Sequence, residues 1–141
     1  MDIEYLGVDH LGLAVKDLAA AEATYRNILG FKLSGSESLP DRGLEVRFVE
    51  TGNARIELIA PTRDDSEVSR FLDKRGEGLH HICLQVASID RAIAQLRAQG
   101  AQLLSDEAQS GAEGSRVVFI HPKGTHGVLM ELVEKQAEEE S

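Results

Sequence analysis

Two histidines head two closely similar stretches. Residues 9–15 read DHLGLAV and residues 80–86 read HHICLQV, and an offset of 71 places His10 on His81. Two glutamates recur in the same way: RIELI (55–59) matches LMELV (129–133) at an offset of 74, so Glu57 falls on Glu131. Side chains alternate between the two faces of a strand, so every second residue shares a face. By that parity Leu11, Leu13 and Val15 form an apolar face, with His10 on the other. Ile82, Leu84 and Val86 form the matching face in the second copy, with His81 and Cys83 opposite and His80 on the apolar side. Glu57 opposes Ile56 and Leu58, Glu131 opposes Met130 and Leu132, and Glu45 opposes Leu44, Val46 and Phe48. Two imidazoles and two carboxylates on the less apolar faces are a donor set for one divalent metal. Carboxylates crowded together are costly without a cation. Glu45 is the acid left outside the repeat-paired set, placed by parity on the same face.

The elements that must position these groups repeat as well. Leu18, Ala21 and Tyr25 are spaced i, i+3, i+7, and so are Ile89, Ala92 and Leu96, which gives each copy one buried helical stripe. Asp17 and Ser88 precede the stripes as N-caps, and Gly30 and Gly100 follow them as stops. VRFVE (46–50) matches VVFIH (117–121). Each copy therefore reads strand, helix, three strands. The strands are expected at about 6–15, 31–37, 43–50 and 54–60, then at 79–86, 101–106, 115–121 and 127–134. The fold class is α+β: two βαβββ modules in tandem, about 6–60 and 79–134, joined by a linker at 61–78. The linker run DSEVSRFLDK places Val68, Phe71 and Leu72 on one face of a short helix. An acidic tail, 135–141, follows. Halves this small are marginal alone, so a single domain is expected, sharing a core or an eight-stranded sheet.

Composition narrows the functions. The chain has 141 residues and a formal net charge of −9, which argues against nucleic acid as a partner. No apolar run approaches the roughly 20 residues of a membrane span, and the acidic start, MDIEYLGVDH, does not read as a signal peptide. There is one cysteine, so no internal disulfide forms, which fits a reducing cytoplasm. Cys83 has no basic partner in its motif and is read as packing. His121 and Pro122 read as a turn, and Gly111 and Gly114 as a flexible loop.

At DHLGLAV, IELIAP, GLHHICLQV, LLSDEAQSGAEGSRVVFIHPK and GVLMEL the sequence resembles the vicinal oxygen chelate superfamily (the glyoxalase/bleomycin resistance/dioxygenase group). In the long run from GLHHIC to GVLMEL it resembles the methylmalonyl-CoA epimerases within it. The resemblance implies a curved eight-stranded mixed sheet with a metal site in its cleft. By position it implies His10, Glu57, His81 and Glu131 as ligands, Glu45 as a base, and Glu131 as a ligand that doubles as a second base. Imidazole and carboxylate donors suit Co2+, Mn2+, Ni2+ or Zn2+, with Co2+ the ion expected. The implied reaction is proton removal and return at C2 of an acyl-CoA, for which two groups flanking the carbon are the simplest device. Lys123, Arg116, Arg47, Lys74 and Arg75 are candidates for the anionic coenzyme tail, though ordinary solvated charge explains each. A homodimer is implied by analogy. A glyoxalase I-type lyase and a non-enzymatic small-molecule binding protein stay open as alternatives; the His/Glu quartet counts against the second.

Overall fold

The computed structural model describes residues 2–136; Met1 and residues 137–141, which hold most of the expected acidic tail, lie outside the description. Contacts divide the chain into two compact units, residues 10–80 and residues 1–9 with 81–141.

The first module contains β1 (Tyr5–Ala14), α1 (Leu18–Ala23) with a π-helical turn at Thr24–Ile28, β2 (Lys32–Leu39), β3 (Leu44–Glu50), β4 (Arg55–Pro61) and the linker helix α2 (Glu67–Arg75). Its strands lie in the order β2-β3-β4-β1, with β1 parallel to β4 and the other pairs antiparallel. The second contains β5 (Gly78–Val86), α3 (Ile89–Ala98), β6 (Gln109–Ser110), β7 (Arg116–Ile120) and β8 (Leu129–Glu134). It repeats the pattern as β5-β8-β7-β6, with β5 parallel to β8. This is the expected α+β class, two βαβββ modules with eight strands in mixed pairing.

The helix signals act where the sequence places them. Asp17 Oδ1 accepts from Ala20 N at 3.1 Å and Ser88 Oγ from Arg91 N at 3.2 Å, each satisfying a donor in the first turn. Ser66 does the same for α2 through Ser69 N at 3.1 Å. The repeat-equivalent glycines leave their helices with φ of 76° at Gly30 and 84° at Gly100, a conformation that disfavours a β-carbon.

Packing differs between the modules. In the first, both sheet faces are covered. Leu18 of α1 packs with Val49, Leu58 and Ala60 on one face. Val68 and Leu72 of α2 pack with Ala14, Leu44, Val46, Phe48 and Ile59 on the other. In the second, α3 covers the face bearing Val86, Val118, Ile120 and Leu132. Cys83, Val117 and Val133 form a smaller cluster on the opposite face.

One strand departs from expectation. The run 101–106 pairs only at Leu103, which bridges Ile120, and the strand itself falls at Gln109–Ser110. Between them Ser105 Oγ donates to the Glu107 carbonyl at 2.8 Å, closing a turn that interrupts the edge.

Candidate functional site

Each module builds the same half-site from its parallel strand pair. On β1 and β4, His10 is the register partner of Arg55, and Glu57 lies two residues further along, beside Gly12. On β5 and β8, His81 is the partner of Leu129, and Glu131 lies two residues further along, beside Cys83. The same offset on parallel strands puts each glutamate on the face of its histidine. His10 Nδ1 stands 3.2 Å from Glu57 Oε2, and His81 Nε2 stands 3.3 Å from Glu131 Oε1. His10, His81 and Glu131 are buried, at 7 %, 6 % and 8 % exposure. A buried carboxylate needs a positive partner or a metal to offset its lost hydration.

The donor geometry fits a metal. A charge-assisted N–H···O bond is usually about 2.7–2.9 Å long. Two adjacent ligands of one ion, each about 2.1 Å from it at right angles, stand roughly 3 Å apart. The separations of 3.2 and 3.3 Å exceed the first distance and lie close to the second. Each half-site offers one nitrogen and one carboxylate oxygen, a borderline donor pair suited to first-row divalent ions.

Other sequence candidates fall elsewhere. The His80 ring meets Phe71 of α2 edge-on at 5.0 Å, with its parity opposite to that of His81. Cys83 is fully buried beside Val117 and Val133, as packing requires. His121 Nδ1 accepts from Lys123 N at 3.1 Å and closes the turn read from the sequence. Arg116 forms two bonds to the Asp90 carboxylate, at 2.9 and 3.0 Å, and that hydrogen bonding holds the Asp90 carboxyl below its ordinary range. Arg47 lies 3.9 Å from Glu22, and Arg75 stacks 5.7 Å above the Phe71 ring. Lys74 lies in the last turn of α2.

Glu45 is corrected. On β3 and β4 the cross-strand partners are Phe48 with Glu57, Val46 with Ile59, and Glu45 with Ala60. Antiparallel partners share a face. Phe48, Val46 and Leu44 therefore lie on the face of His10 and Glu57, while Glu45 lies on the other and is exposed. Parity along one strand cannot show this, because both faces of the first module are apolar: α2 covers the side that the sequence reading left to the polar groups.

Two acids escaped the sequence reading. Asp9 has a side chain 6 % exposed and its Oδ1 lies 2.6 Å from Lys135 Nζ. Glu37 of β2 is half-buried and is the partner of Val46, which puts it on the face of His10 and Glu57. Its stretch, SGSESLP, has no apolar alternation. Counting back from the Pro40–Gly43 turn, with Leu39 paired to Leu44, is the signal that finds it.

A glyoxalase/bleomycin resistance protein/dioxygenase superfamily model matches residues 9–119, and the chain belongs to that superfamily. Human mitochondrial methylmalonyl-CoA epimerase is 43 % identical over 126 residues, 89 % of this chain and 72 % of that protein. The ethylmalonyl-CoA/methylmalonyl-CoA epimerase of Cereibacter sphaeroides is 42 % identical over 127 residues, covering 89 % of this chain and 95 % of that one. A methylmalonyl-CoA epimerase solved in complex with methylmalonyl-CoA and NH4+ is 38 % identical, with a TM-score of 0.88, and is matched over 98 % of this chain and 100 % of that chain.

Proposed function

We propose that this protein is a metal-dependent methylmalonyl-CoA epimerase, interconverting the (R) and (S) forms by removing and returning the proton at C2. One observation carries the reading: a buried histidine beside a glutamate recurs in both modules, with the same strand register and nearly the same separation. The superfamily supports metal-assisted chemistry, and the relatives support the acyl-CoA substrate.

His10, Glu57, His81 and Glu131 would hold one divalent cation, Co2+ in our reading, with Mn2+, Ni2+ and Zn2+ the alternatives. The cation supplies Lewis-acid stabilisation of the charge that develops at the thioester oxygen as the C2 proton leaves. Glu131 takes or returns the proton on one side of C2, as a ligand able to exchange that role. The reading includes a reducing, cytoplasmic setting, in keeping with the single cysteine. Among the described residues no helix is long and apolar enough to cross a membrane. A second copy of the chain is the expected partner; the apolar side chains Tyr5, Leu6 and Val8 of β1 are 49 %, 55 % and 45 % exposed and support an interface there.

The test is a panel of pure methylmalonyl-CoA epimers and glutathione adducts, assayed with metal added and with metal removed. Metal-dependent inversion of the acyl-CoA is expected. Turnover of the glutathione adduct alone would replace this reading with a lyase, and metal-independent ligand binding without turnover would replace it with a binding protein.

A further inference from the structure

We propose that Glu37 is a general base of this reaction, acting beside the His10–Glu57 half-site. The inference deepens the epimerase reading and rests on it.

Inversion needs a second proton-transferring group, and the register removes Glu45 from the correct face. Three strand pairings carry the face forward. Gly12 of β1 is the partner of Glu57 on β4. Glu57 is the partner of Phe48 on β3, and two residues on, Ile59 is the partner of Val46. Val46 is the partner of Glu37 on β2. The pairing of β2 with β3 shifts between Leu33 and Gly35 and runs without a break from Gly35 to Leu39, so the parity at Glu37 stands.

Two glutamates of β2 and β3 reach this face. Glu50 is the register partner of Arg55 and accepts from Ser34 Oγ at 2.6 Å, which ties it to the strand ends. Glu37 is half-buried among Leu39, Val46 and Gly35, and among the described residues it has no ion pair or side-chain hydrogen bond. Two strand spacings and two residues separate Glu37 from Glu57, or roughly 12 Å between α-carbons. The stem of Glu37 lies on an apolar surface, which suits it to meet a carbon acid away from bulk water.

In the forward step the Glu37 carboxylate takes the C2 proton, and the C–H electron pair moves toward the thioester carbonyl. The second base delivers a proton to the opposite side of C2. Exchange with solvent then returns both carboxyl groups to their starting states. The competing explanation is that Glu37 is an inward-pointing charge that protects the edge strand β2 from pairing with other chains.

Full-length protein loaded with metal is compared with Glu37→Gln, Glu37→Asp and Glu45→Gln. Each is given either pure epimer of methylmalonyl-CoA in D2O, and inversion and C2 deuterium are followed by chiral chromatography and mass spectrometry. Glu37→Gln is expected to lower inversion by about 10²-fold or more, with metal content and melting temperature kept. One epimer should still exchange its C2 hydrogen without inverting, and the other should exchange slowly. Glu37→Asp should recover part of the inversion, because it keeps the carboxylate. Glu45→Gln should match the parent. A Glu37→Gln variant that inverts at the parent rate, or slows both epimers without the exchange asymmetry, overturns the proposal. If Glu37→Gln does not fold, Glu37→Asp decides: reduced inversion with the asymmetry supports the role, and parent-like or symmetric behaviour overturns it. A parent protein that inverts neither epimer overturns the epimerase reading and this inference together. Inversion by the parent with no effect at Glu37 overturns the inference alone.

Discussion

Asp9 Oδ1 and Lys135 Nζ stand 2.6 Å apart, joining the strand that carries His10 to the residue just past β8. The Asp9 side chain is 6 % exposed and the Lys135 side chain 48 %, so a buried carboxylate meets a half-solvated ammonium. Removing the lysine leaves the carboxylate buried without that cation, which costs more than losing a surface pair. Lys135→Met is expected to destabilise the fold by about 1–2 kcal/mol, less than for a fully buried pair because Lys135 is partly wet. Asp9→Asn and the double variant complete the cycle in denaturant melts. A coupling near zero would show that the pair contributes nothing to stability.

The two neighbouring histidines of β5 should separate cleanly. His81 stands beside Glu131, whereas His80 packs against Phe71. His81→Ala should lose most of the bound metal by elemental analysis. His80→Ala should keep it and show only a packing loss in its melting temperature. Equal metal loss in both variants would count against the assignment of the half-site.

Chelation should abolish epimerisation reversibly while leaving secondary structure in place. Each module has its own apolar clusters, so the metal is not the main source of folding energy. Circular dichroism melts with and without chelator check this. Complete unfolding on chelation would make the metal structural.

The Arg116–Asp90 pair fixes an acid limit for the start of α3. Its hydrogen bonds hold the Asp90 carboxyl below the ordinary value, so folding favours the ionised form. A depressed carboxyl stabilises the fold above its unfolded pKa and loses that contribution as pH falls through the lowered folded value. Both groups are solvent-exposed, so the effect is small. Arg116→Gln should be slightly less stable than the parent at neutral pH, and the two should converge at the acid end of a pH series of melts. A gap that widens in acid would reverse the sign worked out here.

Much of this protein is legible without coordinates. The 71-residue offset identifies the two modules, because a duplicated strand and helix must repeat the same apolar stripe and caps. The repeat matches His10 to His81 and Glu57 to Glu131, and strand parity puts each on the less apolar face of its strand; the parallel register then sets Glu57 beside His10 and Glu131 beside His81. The edge strand was misplaced because Ser105 turns the chain where β-propensity alone predicts extension. The face of β3 was decided only by tertiary structure. Leu44, Val46 and Phe48 read as a core face, and so they are, but the core they join is the one under α2. Val49, Leu58 and Ala60 serve the core under α1. A strand buried on both sides has no polar face for periodicity to detect. Only its cross-strand partners show that Glu45 points away from His10 and that Glu37, in a stretch with no pattern of its own, points with it.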